Sequence, residues 1–259
     1  MNWKAALFCF TLLAAIWSGI GCEASSGGSD EADTAPAVDV VADRAAVPDL
    51  AVDLADDVEK YPGPPGVVPI FEEQRQGFFD QPFPCENRVK AGGAPDLSDF
   101  PNPHEVELLN LYIKEAELRI KGFSPNGAIY FRFDGALAEH LFPQVAFTLQ
   151  PDSSIILVNV TADSPFYGER IPVETWFWDK EEPFEGYYLA RHVLAVRPLG
   201  GYPMRRGEQY ACIIKRSLRD SEQRYLSENE LVATALGPDA SGLYAKIFAP
   251  LGEWLDQAE

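Results

Sequence analysis

The sequence predicts a mainly β protein: an antiparallel β-sandwich with one flanking helix on its N-terminal side and a helical excursion at its C-terminal end. Between residues 129 and 216, short apolar segments with a period of two alternate with turn residues, a pattern typical of antiparallel strands. No helical pattern lies between these segments, which excludes a parallel α/β sheet. Helical periodicity appears only before and after them.

The first 21 residues have the three-part plan of an export signal. Lys4 supplies the positive charge, residues 5–17 form an apolar run, and small residues lead to Gly21. The apolar run is shorter than the roughly 20 residues that span a bilayer. We therefore expect residues 1–21 to be a cleaved signal peptide.

A cysteine directly follows this signal, in the segment Ser18-Gly19-Ile20-Gly21-Cys22. The segment resembles the lipobox of bacterial lipoproteins, whose cysteine receives diacylglycerol and becomes the new N-terminus. The resemblance implies that Cys22 is lipidated and incorporates palmitate. It also implies attachment to a membrane of the bacterial cell envelope, at the outer membrane or facing the periplasm. The alternative is ordinary cleavage near Gly21, in which Cys22 has no such role.

Residues 22–66 form an acidic linker. Between Glu23 and Lys60, eleven acids stand against Arg44 and Lys60, so this segment contributes −9 of the formal net charge of −19. Low hydrophobicity and uncompensated charge predict disorder, because burial cannot offset the entropy lost on ordering. The acid spacing matches no EF-hand loop. Because no basic stripe occurs in the chain, nucleic acid is an unfavourable partner.

Residues 67–259 contain enough aromatic and β-branched side chains for one core. Their first part, 67–101, is rich in Pro and Gly with scattered aromatics, and we expect an extended arm packed on the domain surface. A helix should follow, with Asn102 as N-cap, Pro103 as first helical residue and Glu105 closing a capping box. Glu115 and Arg119 have the spacing of an i,i+4 ion pair. The apolar residues of this helix should cover one side of the core; they are Val106, Leu109, Ile113, Ala116 and Ile120.

Six segments are predicted to be strands because apolar residues alternate in them or form short continuous runs. Two later segments, 228–236 and 243–255, have helical spacing and form the predicted excursion. The strand segments are 129–133, 145–149, 155–160, 171–178, 187–197 and 209–216.

A local motif specifies the type of sandwich. Met204 stands six residues before Tyr210, which opens an alternating strand. This spacing is typical of the tyrosine corner of immunoglobulin-like (Ig-like) sandwiches, in which the phenol hydroxyl bonds to the backbone of the preceding turn. The alternative is that Tyr210 is an ordinary core aromatic.

Three segments carry a wider resemblance: FDQPFP at 79–84, DLSDFPNP at 96–103 and LAVRPL at 194–199. They resemble the N-terminal Ig-like domain of large bacterial surface lipoproteins, some of which bear a lipase or esterase domain downstream. In that family the turn corresponding to 219–222 is usually followed by Gly, where this chain has Gln223. The family also implies a last strand after the helical excursion, so the chain is either truncated at its C-terminus or lacks that strand.

Two cysteines, Cys85 and Cys212, belong to the predicted domain. Export places them in an oxidising compartment, where a pair more often forms a disulfide than a metal or catalytic site. Two separate buried thiols are the equally weighted alternative.

The usual catalytic motifs are missing from the sequence, among them G-x-S-x-G, H-E-x-x-H, C-x-x-C and the P-loop. The three histidines, His104, His140 and His192, are isolated from one another, which favours structural or surface roles. The sequence therefore indicates no catalytic residue, metal or cofactor. Any catalytic domain is expected beyond Glu259.

One pair of residues is a candidate binding surface. Alternation along a strand places Trp176 and Trp178 on one face and Phe177 on the other. The tryptophans could stack on a sugar or dock a neighbouring domain, and sandwich packing is the alternative.

We expect a non-enzymatic, lipid-anchored lipoprotein that presents its Ig-like domain to an unknown protein partner or as a scaffold. The alternative is the N-terminal accessory domain of a secreted lipase or esterase, with the catalytic domain downstream as its partner. Glycan binding is a weaker third hypothesis.

Overall fold

The computed structural model describes residue 61 and residues 63–179 and 188–258. The predicted signal peptide, Cys22 and nearly all of the predicted linker lie outside the described residues. Within them, the architecture is two three-stranded antiparallel sheets with three α-helices.

The first sheet has the strand order β1-β5-β4, and all its pairs are antiparallel. Its strands are β1 (Ile129–Arg132), β4 (Val173–Trp178) and β5 (Val193–Pro198). The register places Phe131 opposite Leu194 and Trp176 opposite Ala195.

The second sheet has the order β3-β2-β6 and is also antiparallel. Its strands are β2 (Ile155–Asn159), β3 (Arg170–Ile171) and β6 (Tyr210–Ile214). Every residue of β2 and β6 is buried, which explains why their sequences are almost continuously apolar rather than alternating.

One hydrophobic core joins the two sheets. It contains Phe131, Phe177 and Leu194 from the first sheet, and Leu157 and Cys212 from the second. The two antiparallel sheets of the prediction are therefore present. About 27% of the structure is helical and 20% is strand, so helices contribute more than a mainly β prediction implies.

The arm lies against the first sheet. Pro69 bridges to Phe133 and Phe83 to Tyr130, along the free edge of β1. Phe78 and Phe79 form a small second apolar cluster with Val193 on the face of the sheet opposite the core. The arm therefore covers both an edge and a face that would otherwise be open to water.

A buried cation holds the arm in shape. The Arg88 side chain is fully buried, and its guanidinium lies 3.0 Å from Asp99 Oδ1 and 4.4 Å from the centre of the Phe78 ring. It also donates to the Phe78 carbonyl oxygen. These contacts fix residues 78, 88 and 99 relative to one another, because the loss of a partner would leave the buried cation uncompensated.

The helix after the arm, α1 (Glu107–Arg119), begins later than the sequence predicts. The Asn102 side chain does bond the backbone, since its Oδ1 accepts from the Val106 N–H at 2.9 Å. The N-cap of the helix, however, is Val106. Glu105 adopts φ +50 and precedes the N-cap, so it does not occupy the third helical position that a capping box requires. The local turn that Asn102 stabilises therefore displaces the helix start by four residues from Pro103. The predicted Glu115–Arg119 ion pair is confirmed.

The prediction that α1 covers the core is wrong, since no residue of the helix is buried. The arm already occupies the outer face of the first sheet. Instead, α1 is attached to the arm through Glu117, whose carboxylate accepts from Lys90 Nζ at 2.7 Å and from the Leu97 N–H at 2.8 Å.

Among the predicted strands, 129–133, 155–160 and 209–216 are confirmed as β1, β2 and β6. Segment 171–178 is divided between β3 and β4 at Pro172, which has no N–H for a ladder. Of segment 187–197, residue 187 lies outside the described residues, and the strand in the remainder begins at Val193.

The strand predicted at 145–149 is wrong, because Val145–Leu149 is a 3₁₀ helix. Its inward-facing residue is Thr148, which is fully buried, whereas Phe147 is 56% exposed. The Thr148 hydroxyl donates to the Val145 carbonyl and accepts from the Val173 N–H. A polar side chain that bonds both its own turn and the end of β4 favours the turn over an alternating strand.

The helical excursion is confirmed as α2 (Glu230–Leu236) and α3 (Gly242–Ala258). Asn229 caps α2, its Oδ1 accepting from the N–H groups of Leu231 and Val232 at 3.0 and 3.2 Å. Phe248 and Leu251 of α3 enter the main core. Of the helices in the described ranges, none has both the length and the apolarity to cross a bilayer.

Candidate contact surface on strand β4

The two faces of β4 have different surroundings. Phe177 is 5% exposed and belongs to the core, whereas Trp176 on the opposite face is 48% exposed and Trp178 is half-buried. The indole rings of Trp176 and Trp178 lie 5.3 Å apart between centroids, with an interplanar angle of 42°. We call these two residues the tryptophan pair.

The register of the first sheet explains why the pair is accessible. Trp176 lies opposite Ala195 and Trp178 lies opposite Val193 on β5. Ala195 is small, so it leaves the Trp176 indole uncovered on that side. The arm buries Val193 but leaves Trp176 exposed. Packing inside the sandwich, the alternative for these tryptophans, therefore applies to Phe177 and not to Trp176.

Charged groups flank the pair at both ends of β4. The Glu174 carboxylate is ion-paired with Arg197 of β5. At the other end, Asp179 Oδ1 lies 2.9 Å from His192 Nε2 and 3.5 Å from Arg191 Nε. The surface is thus aromatic at its centre and polar at its rim, an arrangement typical of interaction sites.

The sequence pattern does not predict the contact between Asp179 and His192. They meet because Trp178 pairs with Val193, so the residues just beyond that pair become neighbours. The antiparallel register of this hairpin was the signal that could have identified them.

The other two histidines have different neighbours. The His104 ring is 6.1 Å from the ring of Tyr188, and His140 Nε2 is 3.4 Å from the side-chain nitrogen of Gln223. Across the described residues, no group of three or more His, Cys, Asp or Glu side chains is placed to hold a metal ion.

The Tyr210 side chain contacts the turn that precedes its strand. Its ring is fully buried, and its hydroxyl oxygen accepts from the Arg205 N–H at 2.9 Å. Met204 is buried beside this turn, 2% exposed. Burial raises the pKa of the Tyr210 hydroxyl to about 12, so the phenol stays protonated at neutral pH and serves a structural contact.

The two cysteines of the domain are free and buried, so the disulfide suggested for Cys85 and Cys212 is not formed. Cys212 lies in β6 opposite Leu157, whereas Cys85 precedes a 3₁₀ turn of the arm. Burial raises the pKa of Cys85 to about 11 and also raises the pKa of Cys212. Because thiolates are the reactive form, both groups are chemically inert near neutral pH.

Comparisons with known proteins add no relative. No family model matches the chain, and neither a curated protein nor a solved structure matches it.

Proposed function

We propose that this chain is a lipid-anchored lipoprotein of the bacterial cell envelope that presents an Ig-like domain for contact with another protein and catalyses no reaction itself. The export signal and Cys22 support the anchor. The two antiparallel sheets with a common core, together with the Tyr210–Arg205 hydrogen bond, support the Ig-like assignment.

The half-exposed tryptophan pair is the observation that carries the contact function. Tryptophan is enriched among the residues that dominate binding energy at protein interfaces, and exposing a large aromatic surface to water is unfavourable without a partner. The polar rim formed by Glu174–Arg197 and Asp179–His192 would orient a partner over the indoles.

Site-specific photo-crosslinking of the full chain in intact cells tests this contact. A photoreactive side chain at position 176 should give one defined adduct with an envelope protein, and Trp178→Ala should abolish that adduct. The matched control is position 202, because Tyr202 is 55% exposed but lies in a different turn. Equal labelling from both positions, or an adduct insensitive to Trp178→Ala, would refute the proposed surface.

The anchor is tested separately by metabolic labelling with palmitate. The chain without substitutions and a Cys9→Ser control should incorporate the palmitate label, whereas Cys22→Ser should incorporate none. Labelling that survives Cys22→Ser would exclude lipidation at this residue.

A second candidate is glycan binding, favoured by the close, mutually tilted indole rings, since aromatic faces stack on the apolar faces of sugars. If the chain binds glycans, the unsubstituted protein should bind a polysaccharide, and Trp176→Ala or Trp178→Ala should abolish that binding. If the adduct at position 176 persists when all soluble polysaccharides tested fail to bind, protein contact is the better assignment.

The accessory domain of a secreted lipase or esterase remains the alternative that rests on the family resemblance alone. Reading the gene beyond the codon for Glu259 separates the two. Continuation into a domain with a G-x-S-x-G motif would favour the accessory role, whereas a stop codon would favour the free-standing lipoprotein.

A further inference from the structure

Helix α1 carries an apolar stripe that faces solvent. Leu108, Leu111, Tyr112 and Leu118 are 56%, 53%, 61% and 71% exposed. Leu108, Leu111, Glu115 and Leu118 follow one another at intervals of three, four and three, which is the spacing of the a and d positions in a coiled-coil seam. The stripe on the other side of the helix, which includes Leu109 and Ile113, is half-buried against the rest of the chain.

The helix is only partly packed against the rest of the chain. It has 13 residues and none is buried, and isolated helices shorter than about 12–15 residues are marginal in water. A row of exposed leucines on such a helix is the pattern of an association surface.

The charges of α1 select the orientation of a partner helix. Glu105 and Glu107 lie at its N-terminal end, and Arg119 and Lys121 lie at its C-terminal end. A second copy of the same helix in antiparallel orientation brings the acidic end of each against the basic end of the other. A parallel copy would bring like charges together, which is unfavourable.

We propose that α1 pairs antiparallel with α1 of a second copy of this chain, about a two-fold axis that crosses the seam midway between Leu111 and Glu115. Leu108 then lies opposite Leu118 of the second copy, at both ends of the seam. Leu111 lies opposite the aliphatic part of Glu115. The same surface is used on both copies, as in an isologous dimer.

The expected dimer is weak in dilute solution. A 13-residue helix is about 20 Å long and about 10 Å wide. One such pair buries less than the roughly 1,200 Å² of a stable interface. The pairing requires neither the lipid nor the tryptophan pair, but attachment to a membrane would raise the local concentration and favour it.

Disulfide crosslinking of the full chain in intact cells tests the pairing and its direction. A chain carrying both Leu108→Cys and Leu118→Cys should form a product of twice the monomer mass under mild oxidation. A chain carrying Leu108→Cys alone, or Leu118→Cys alone, should form none above background. Because Leu108 lies opposite Leu118 of the second copy, the two Leu108 positions are displaced by ten residues along the helix axis, which is about 15 Å. The same displacement separates the two Leu118 positions, so a single cysteine does not meet its equivalent. The unsubstituted chain measures the background from its own cysteines.

A second substitution tests whether the seam drives the contact. Adding Leu111→Glu to the doubly substituted chain should lower the crosslinked fraction at least tenfold, because it buries a charge in the seam. The matched control is Leu243→Glu, at a leucine of α3 that is 60% exposed, which should leave the crosslinked fraction unchanged. The fraction is expressed per chain recovered from the envelope, so a loss of folding or export does not mimic a loss of pairing.

The absence of the double-mass product would overturn the proposal. So would equal crosslinking from Leu108→Cys alone, or a product that contains a different protein. Each of these outcomes is independent of palmitate labelling and of crosslinking at position 176.

Discussion

The hydroxyl of Tyr210 joins β6 to the turn that precedes it. Tyr210→Phe leaves the Arg205 N–H without its acceptor and should lower the free energy of unfolding by about 1–2 kcal/mol. Urea denaturation of both chains measures the difference. Tyr202→Phe is the control, because its ring is 55% exposed, and it should change the unfolding free energy by less than about 0.5 kcal/mol. Equal effects of the two substitutions would show that the hydrogen bond between Tyr210 and Arg205 does not stabilise the fold.

A second residue adopts a backbone conformation that suits glycine better. Gln223 has φ +65, and its N–H donates to the Asp220 carbonyl oxygen at 2.9 Å. The fully buried Asp220 side chain also accepts from the Arg224 N–H, so this turn is held in place.

Gln223→Gly should therefore raise the free energy of unfolding by about 0.5–1 kcal/mol, since glycine adopts this conformation without a steric cost. Glu222→Gly is the matched control. Glu222 has no positive φ, so glycine there should lower the unfolding free energy. An increase for both variants, or for neither, would show that the backbone of residue 223 is not strained in solution.

At the scale of the element, β4 separates a core face from a contact face. Phe177→Ala removes a core side chain and should cost about 3–5 kcal/mol. Trp176→Ala should cost less than about 1 kcal/mol, because half of that side chain already contacts water. Thermal or urea unfolding of the two variants tests this ratio. A large loss of stability from Trp176→Ala would assign the indole to packing and weaken the contact proposal.

At the scale of the whole molecule, two buried thiols link stability to pH. Cys85 has a pKa of about 11 in the folded chain against an ordinary value of 9.0, and burial shifts Cys212 in the same direction. Above about pH 9 the unfolded chain loses these thiol protons, whereas the folded chain keeps them to higher pH. The free energy of unfolding should therefore be unaffected by the thiols below that pH and fall as pH rises toward about 11.

The comparison is between the unsubstituted chain and Cys85→Ala with Cys212→Ala, unfolded in urea under reducing conditions at several pH values. The doubly substituted chain should show a shallower decline between about pH 9 and 11, whatever its absolute stability. Tyr210 is present in both chains, so its own titration cancels. Parallel curves would show that the thiols are not buried in solution.

Much of the fold follows from local pattern. Period-two and continuous apolar segments located β1, β2 and β6, and helical spacing located α2 and α3. The Glu115–Arg119 pair followed from an interval of four residues. These features depend on neighbours within a turn or a strand, and that information is present in any short window of sequence. The export signal and Cys22 are also inferences from a short window, and they remain predictions.

The tertiary structure decided which surface each pattern meets. Apolar spacing marks a face of α1, but the arm covers the outer face of the first sheet, and the helix lies outside with Leu108 and Leu118 exposed. Alternation separated Trp176 from Phe177, yet only the second sheet determined that Phe177 is the buried one. Likewise, residues 145–149 form a 3₁₀ helix in which the Thr148 hydroxyl accepts a hydrogen bond from the N–H of Val173, 25 residues away. The spacing of apolar residues in the sequence shows which side chains share one face of an element. Whether that face is buried depends on contacts between segments that are distant in the chain.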